Sequence, residues 1–154
     1  EIAKKEGCKV LVGGGALTDG KLAKGYFVAP TVFDGVKPDM TLAQEEVFGP
    51  VLAVMRAGDF EEAMKIANGV KFGLTCAVYT ADANLVMRFT DRIEAGMVHI
   101  NSPSVGGEAQ LPFGGFKHTG YGSREMSDEG LNFFTQLKTV FYDYTGVKRQ
   151  TNIY

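Results

Sequence analysis

Three continuous apolar runs predict buried β-strands in the middle of the chain, at residues 51–55, 74–79 and 97–100. The segments between these runs carry apolar residues at helical spacing, so the predicted order is strand, helix, strand, helix, strand. Strands that are apolar throughout and alternate with helices are typical of parallel sheets covered by helices. The pattern therefore predicts an α/β fold built on a parallel sheet.

Polar residues mark the ends of the two predicted central helices. Asp59 can cap the first helix, with Glu62 reaching back. The second helix is predicted to begin near Asp82 and to end at Gly96. Elsewhere the pattern predicts a helix at residues 1–7, extended segments at 9–12, 26–32 and 139–144, and a short helix at 127–134.

Composition narrows the classes of function. The chain has 154 residues, of which 45% are hydrophobic and 22% charged, with a formal net charge of -2. This composition fits one globular domain, which at this length buries about 68–70% of its unfolded surface. The basic residues are scattered, and no apolar run approaches the roughly 20 residues of a membrane helix. We therefore expect a cytoplasmic protein with no nucleic-acid or membrane partner.

The two cysteines, Cys8 and Cys76, are too few for a disulfide framework, and their spacing predicts no metal site. A catalytic thiol needs an accessible, electropositive setting that favours the thiolate. Cys76 lies inside an apolar run, and Cys8 follows a helix end with no motif around it. Inert thiols are therefore the favoured interpretation, with a nucleophile as the alternative.

Two motifs stand apart from this background. QEEVFGPV at residues 44–51 sets two adjacent carboxylates before an aromatic residue and a Gly-Pro pair, and PFGGFKHTGYGSRE at 112–125 lies in a connection too long to be mere linkage. Four further segments accompany them in order, namely YFVAPTV at 26–32, FGLTCAVY at 72–79, GMVHIN at 96–101 and GLNFFTQLKTV at 130–140. Together these motifs resemble the aldehyde dehydrogenase superfamily over essentially the whole chain.

The resemblance implies oxidation of an aldehyde to a carboxylic acid with NAD or NADP. In that family a cysteine thiolate attacks the aldehyde, hydride passes to the nicotinamide, and a glutamate-activated water cleaves the thioester. The family's nucleophile segment, its glutamate motif and its dinucleotide-binding domain have no counterpart in this sequence. The chain is therefore expected to be part of a longer enzyme, to hold no catalytic residue itself, and to be inactive alone.

By matching position, Glu46 resembles the carboxylate that accepts hydrogen bonds from the nicotinamide ribose, and Phe48 resembles the aromatic residue beside the nicotinamide. A carboxylate offers two oxygens to a vicinal diol and forms charge-assisted bonds. The alternative is that Glu45 and Glu46 are a solvated acidic pair and Phe48 belongs to the core. We favour the cofactor contact for Glu46 and a structural role for Glu45.

Phe113 resembles the aromatic residue that lines the family's aldehyde pocket, with core packing as the alternative. The preceding segment at residues 102–108 resembles the one that sets substrate choice, and its small residues leave room for a semialdehyde with a second carboxylate. The resemblance extends to semialdehyde dehydrogenases of the dioxovalerate and succinate type. Arg124 is the nearest cation, and we expect it to brace the turn rather than bind substrate.

The resemblance divides the chain into two parts. Residues 1–136 are expected to form the C-terminal part of the catalytic domain, and residues 137–154 an oligomerisation strand and tail that pairs with a neighbouring subunit. A homo-oligomer is therefore expected, although a strand paired within its own domain is equally open. The alternative function is a non-catalytic folding and oligomerisation module.

Overall fold

A computed structural model describes residues 1–147 of the chain. The helices are α1 (Ile2–Lys5), α2 (Thr41–Gln44), α3 (Phe60–Asn68), α4 (Ala83–Arg92) and α5 (Ser127–Phe134), with a short 3-10 helix at Gly20–Lys24. The strands are β1 (Lys9–Val12), β2 (Ala16–Leu17), β3 (Phe27–Val28), β4 (Thr31–Asp34), β5 (Val51–Ala53), β6 (Phe72–Gly73), β7 (Thr75–Val78), β8 (Met97–Ile100) and β9 (Phe116–Lys117). The α/β class is confirmed.

The strands form four small sheets. The order β1-β4-β5 makes the largest, with β1 antiparallel and β5 parallel to β4. The strands β7 and β8 pair in parallel around α4, as the apolar runs predicted, whereas β2-β3 and β6-β9 are antiparallel ribbons. The prediction of one parallel sheet through all three central runs is wrong, because β5 pairs with β4 and not with β7. Periodicity identifies strands but does not determine which edges meet.

The Asp59 cap of α3 follows the predicted chemistry, and Asp82, near the predicted start of the second helix, caps α4. The Asp59 carboxylate accepts a hydrogen bond from the Glu62 N–H at 2.8 Å, and the Glu62 side chain accepts from the Gly58 N–H at 2.6 Å. The Asp82 carboxylate accepts from the first backbone N–H groups of α4. Each cap satisfies donors that the first helical turn leaves free.

The predicted end of the second helix at Gly96 is wrong, because α4 ends at Arg92. The Asn68 side chain donates to the Arg92 carbonyl at 2.8 Å and accepts from the Glu94 N–H at 2.9 Å. These contacts supply partners for backbone groups that a longer helix would have paired internally. The chain therefore turns into extended backbone at Ile93 and enters β8 four residues later.

Apolar side chains form two small cores rather than one. The first is buried around Ala3, Cys8, Phe33 and Val36, and the second around Met64, Phe89, Ile93 and Ala95. The chain exposes 12306 Å², whereas a compact monomer of 16.6 kDa exposes roughly 7,600 Å². The expected burial of about 68–70% is therefore not reached, because many large apolar side chains face outward.

Beyond α5, residues 135–147 form neither helix nor strand. The strand predicted at 139–144 is absent, and no strand edge in the described residues pairs with this segment. Its aromatic side chains are exposed, with Phe141 at 85% and Tyr144 at 89%. The remainder of the predicted tail, residues 148–154, lies outside the described residues. None of the helices in residues 1–147 has the length and apolar character needed to span a membrane.

Candidate functional site

Two clefts are lined by consecutive parts of one segment, residues 93–99, that leads into β8. The larger has a volume of about 540 Å³ and is lined by residues from α3, β6, β7 and residues 93–95, together with Glu46, His118 and Thr119. The smaller, about 240 Å³, is lined by residues 96–99, by residues 106–108 and by 111–113, with Met126. We call these the first and second cleft. Glu46 lines the first cleft and Phe113 the second, so the structure places the two predicted contacts in separate clefts.

The segment that carries Glu46 is held by its neighbours. The Gln44 side-chain amide donates to the Pro38 carbonyl at 2.6 Å and to the Gly69 carbonyl at 3.1 Å. Glu45 pairs with the Lys71 ammonium at 2.7 Å, as a structural role predicts. Glu46 itself is exposed and has no hydrogen-bond or ion-pair partner among residues 1–147. Its carboxylate is therefore free to accept hydrogen bonds at the rim of the first cleft.

Phe48 follows with an unusual backbone. Its side chain is 93% exposed and its φ is +50°, in the left-handed region. A non-glycine residue in that region costs about 1–2 kcal/mol, and such residues concentrate at functional sites. The alternative that placed Phe48 in the core is wrong. The ring lines neither cleft, so its contact with a cofactor stays a prediction.

Phe113 is half-buried at the second cleft, and its backbone is fixed. Its N–H donates to the Glu125 carbonyl at 2.8 Å and its carbonyl accepts from the Glu125 N–H at 2.7 Å. The next two residues pass close to the backbone that leads into β8. A Cβ at Gly96 would lie 1.9 Å from the Gly114 carbonyl oxygen and 2.7 Å from Gly115 Cα. Glycine at position 96 therefore permits the approach that places Phe113.

Arg124 braces this loop, as predicted. Its guanidinium donates to the Gly115 carbonyl at 3.0 Å and lies over the Phe116 ring, 5.3 Å from the centroid. Because Arg124 does not line the second cleft, it offers no charge to a substrate there. The ionisable side chains at that cleft are Glu108 and His99, and neither lysine nor arginine lines it among the described residues.

Neither thiol has the setting of a nucleophile. Cys8 is buried in the first core, with Sγ 3.4 Å from Met40 Sδ. Cys76 lies in β7, and burial raises the pKa of its thiol. The burial of Cys8 and the raised pKa of Cys76 both favour the inert thiols that the sequence predicted.

Sequence reasoning missed two polar residues that hold the site together, Asn68 and Lys117. Asn68 ends α4 through its contact with the Arg92 carbonyl, and Lys117 contacts the turn that follows α3. Periodicity gives no signal for a single polar side chain in a turn or a Gly-rich loop. The end of the helix at Asn68 and Gly69 was the only local indication of these contacts, because exposed carbonyls at a helix end require hydrogen-bond donors.

Comparison with known proteins places these motifs in context. The sequence profile of the Aldehyde dehydrogenase family matches residues 1–140. An alpha-ketoglutaric semialdehyde dehydrogenase from Bacillus subtilis is 48% identical over 141 residues, covering 92% of this chain and 29% of that protein. A 2,5-dioxopentanoate dehydrogenase from Saccharolobus solfataricus is 42% identical over 142 residues, again covering 92% of this chain and 29% of that protein.

The fold has matches among solved structures. A betaine aldehyde dehydrogenase from Staphylococcus aureus in complex with NAD+ aligns with a TM-score of 0.82 at 37% identity, covering 86% of this chain and 26% of that chain. The chain thus spans less than a third of the length of each of these three relatives.

Proposed function

The chain belongs to the aldehyde dehydrogenase family, and we propose that it supplies a cofactor contact and a wall of the aldehyde site to an NAD-dependent enzyme that oxidises an aldehyde to a carboxylic acid. The observation that carries this proposal is the unpaired carboxylate of Glu46 at the rim of the first cleft. NAD+ supplies the acceptor for the hydride. In this proposal, the residues of this chain bind and orient the NAD+ and the aldehyde.

Glu46 fits the nicotinamide ribose on chemical grounds. A carboxylate without an internal partner can accept from both hydroxyls of a vicinal diol, and such charge-assisted bonds are stronger than neutral ones. The anchored neighbours Gln44 and Glu45 reduce the conformational freedom that binding would otherwise have to remove. NAD+ and NADP+ share this ribose, so the proposed contact does not distinguish them. We choose NAD+ because a structural relative was solved with it.

Phe48 adds a rigid aromatic surface to this proposal. In the isolated chain, the exposed ring and the left-handed backbone of Phe48 both cost free energy. Contact between the ring and an apolar face of a bound group would offset part of that cost. Restricting the nicotinamide matters because hydride transfer needs reacting atoms within about 3–3.5 Å.

The second cleft suits a small aldehyde. Phe113, Leu111 and Met126 give it an apolar wall that can exclude water around the carbonyl. We propose a semialdehyde as substrate because two relatives carry such names. Glu108 would repel a second carboxylate, and His99 is the only lining residue among those described that can carry a positive charge, so in this proposal a lysine or arginine from outside the lining receives that carboxylate.

The nucleophile and the general base also come from outside this chain in our proposal. The burial of Cys8 and the raised pKa of the Cys76 thiol support this, as does the sequence, which holds neither family motif for those residues. The 154-residue chain alone is then inactive. We further propose residues 1–136 as the catalytic-domain portion and residues 137–154 as the strand and tail that join a neighbouring subunit.

A non-catalytic folding and oligomerisation module is the second candidate. The exposed apolar side chains that follow α5 favour it, since an exposed aromatic segment promotes association. Intact mass of the protein from its source, measured with its NAD+-dependent oxidation of alpha-ketoglutarate semialdehyde, separates the two. A mass above three times 16.6 kDa with activity supports the enzyme, and a mass of 16.6 kDa without activity supports the module.

Substitution in the native enzyme tests the site itself. Glu46→Gln removes the charge at nearly constant shape, so kcat/KM for NAD+ should fall by roughly 10- to 100-fold, from the 1.5–3 kcal/mol of a hydrogen bond to a charged group. The matched control is Glu129→Gln, at an exposed carboxylate on α5. Unchanged kinetics in Glu46→Gln, or losses of activity that merely follow its losses of thermal stability, would overturn the proposal.

A further inference from the structure

The turn after α3 joins the two segments that carry the proposed site. Four consecutive carbonyl groups in residues 68–71 accept hydrogen bonds from outside the turn. The Lys117 ammonium donates to the carbonyls of Asn68 at 2.7 Å and Val70 at 3.1 Å. The Gln44 amide donates to the Gly69 carbonyl at 3.1 Å, and the His118 N–H to the Lys71 carbonyl at 3.0 Å. Three of the four carbonyls therefore accept from residues 117 and 118, in the loop that carries Phe113, and one accepts from Gln44 in the Glu46 segment.

Lys117 has the most demanding position in this arrangement. Its ammonium also forms an ion pair with Glu94, 2.7 Å from Oε2, so three oxygen atoms surround the ammonium. Its side chain is only 20% exposed, and its backbone φ is +56°, in the left-handed region. A half-buried ammonium at a helix C-terminus is favourable because it complements the exposed carbonyls there. Loss of the ammonium would leave those carbonyls without their donor.

The opposite side of the same turn holds the proposed cofactor contact. Gln44 reaches Gly69, and Glu45 pairs with Lys71 at 2.7 Å. Glu46 follows directly and has no partner of its own among residues 1–147, so its position depends on these two anchors. A shift of the turn would move Gln44 and Glu45, and with them the carboxylate at the rim of the first cleft.

We propose that Lys117 is a positioning residue for the cofactor contact: by holding the turn at residues 68–71, it fixes where the Glu46 carboxylate stands. The inference rests on the proposed function of Glu46. Lys117 lies outside the lining of the first cleft, although its neighbours His118 and Thr119 belong to it. It acts on the cofactor through the turn and not by touching it.

A double-mutant cycle in the native enzyme tests this role. Lys117→Met keeps the length of the side chain and removes the ammonium. It should raise KM for NAD+ by about two- to thirtyfold, the range found for residues that act on a site through others. Lys65→Met is the matched control, since Lys65 is exposed on α3 and has no partner among the described residues. Lys117→Met is then also made in the Glu46→Gln background.

The expected result is that Lys117→Met has less than about a twofold further effect once Glu46 is lost, because both changes remove the same contact. Additive effects, or a KM for NAD+ equal to that of Lys65→Met, would show a purely structural role and overturn the inference. Unaltered kinetics in Glu46→Gln alone would instead refute the proposed function. If Lys117→Met fails to fold, Gln44→Met, which breaks the contact with Gly69 on the other side of the turn, decides the question in the same cycle.

Discussion

Replacing Gly96 by alanine is the sharpest test of how the second cleft is built. Gly96 lies immediately before β8, where the chain passes the backbone of the loop that carries Phe113. Its N–H donates to the Gly73 carbonyl at 3.0 Å, which fixes it from the other side. Alanine adds one methyl group, and its lower chain entropy in the unfolded state, which would by itself stabilise by about 0.4–1 kcal/mol, is shared by the control Gly120→Ala.

The size of the effect follows from the geometry. The added Cβ would lie 1.9 Å from the Gly114 carbonyl oxygen, whereas Cβ atoms in real proteins keep at least 3.0 Å, so one backbone must move by about 1.1 Å. Backbone on both sides makes this costly, at about 3 kcal/mol, the upper part of the range for overpacking. Because Phe113 precedes Gly114, the shift reaches the aldehyde wall. A misplacement of about 1 Å can lower the rate by roughly 100-fold.

Two assays on the native enzyme separate these effects. Thermal unfolding should show a Tm lower by roughly 6–12 °C for a cooperative unit of 150–250 residues, and kcat/KM for the aldehyde should fall more than kcat/KM for NAD+. The matched control is Gly120→Ala in the same loop, where no atom lies within 4 Å of the added Cβ. A Gly96→Ala enzyme with the Tm and kinetics of the control would refute the reasoning.

Three other substitutions test separate features. Ser127 begins α5 with φ at +51°, and its hydroxyl accepts from the Glu129 N–H at 3.3 Å. Both Ser127→Gly and Ser127→Ala lose that contact, so Ser127→Gly should be more stable than Ser127→Ala by about 1 kcal/mol in denaturant titration, and equal stabilities would argue against strain there. Hydrogen bonding to Arg92 chiefly lowers the pKa of Glu61 to about 2 from 4.5, so its stabilising contribution is present above pH 4.5 and is lost as the pH falls through 2. The stability difference between wild type and Glu61→Gln should shrink over that window, and a constant difference would contradict the pairing. Cys76→Ala should keep aldehyde oxidation because burial raises the pKa of that thiol, whereas complete loss of activity would identify it as a nucleophile.

The sequence predicted elements well where one local signal decides them. Asp59 caps its helix as expected, the second helix begins next to Asp82 as predicted, and the short helix at 127–134 has the predicted bounds. Failures occur where a distant residue decides the outcome. The Asn68 side chain ends α4 at Arg92, and no residue within α4 predicts that contact. Which strand pairs with β5 depends on which strand edges meet, and hydrophobic periodicity carries no information about strand pairing.

The same division applies to the candidate site. Motif resemblance is sufficient to single out Glu46 and Phe113, and the structure places each at a cleft. No motif points to the role of Lys117, because that role depends on carbonyls that lie 47 to 49 residues away in the sequence. A contact of that kind is a property of the folded backbone, and single-sequence patterns do not carry it.

The proposed cofactor contact and the proposed aldehyde contact lie in two separate clefts, so each could be identified without the family's nucleophile. Residues 93–95 line the first cleft and residues 96–99 the second, so one continuous segment separates the proposed cofactor and aldehyde contacts. Asn68 fixes the start of this segment through Arg92 and Glu94, and Gly96 fixes its passage against the Phe113 loop. In the proposed enzyme, a partner segment that acts on both ligands would lie close to this shared segment. The excess exposed surface of the chain is consistent with such a partner, since uncovered apolar faces of this extent usually mark an interface.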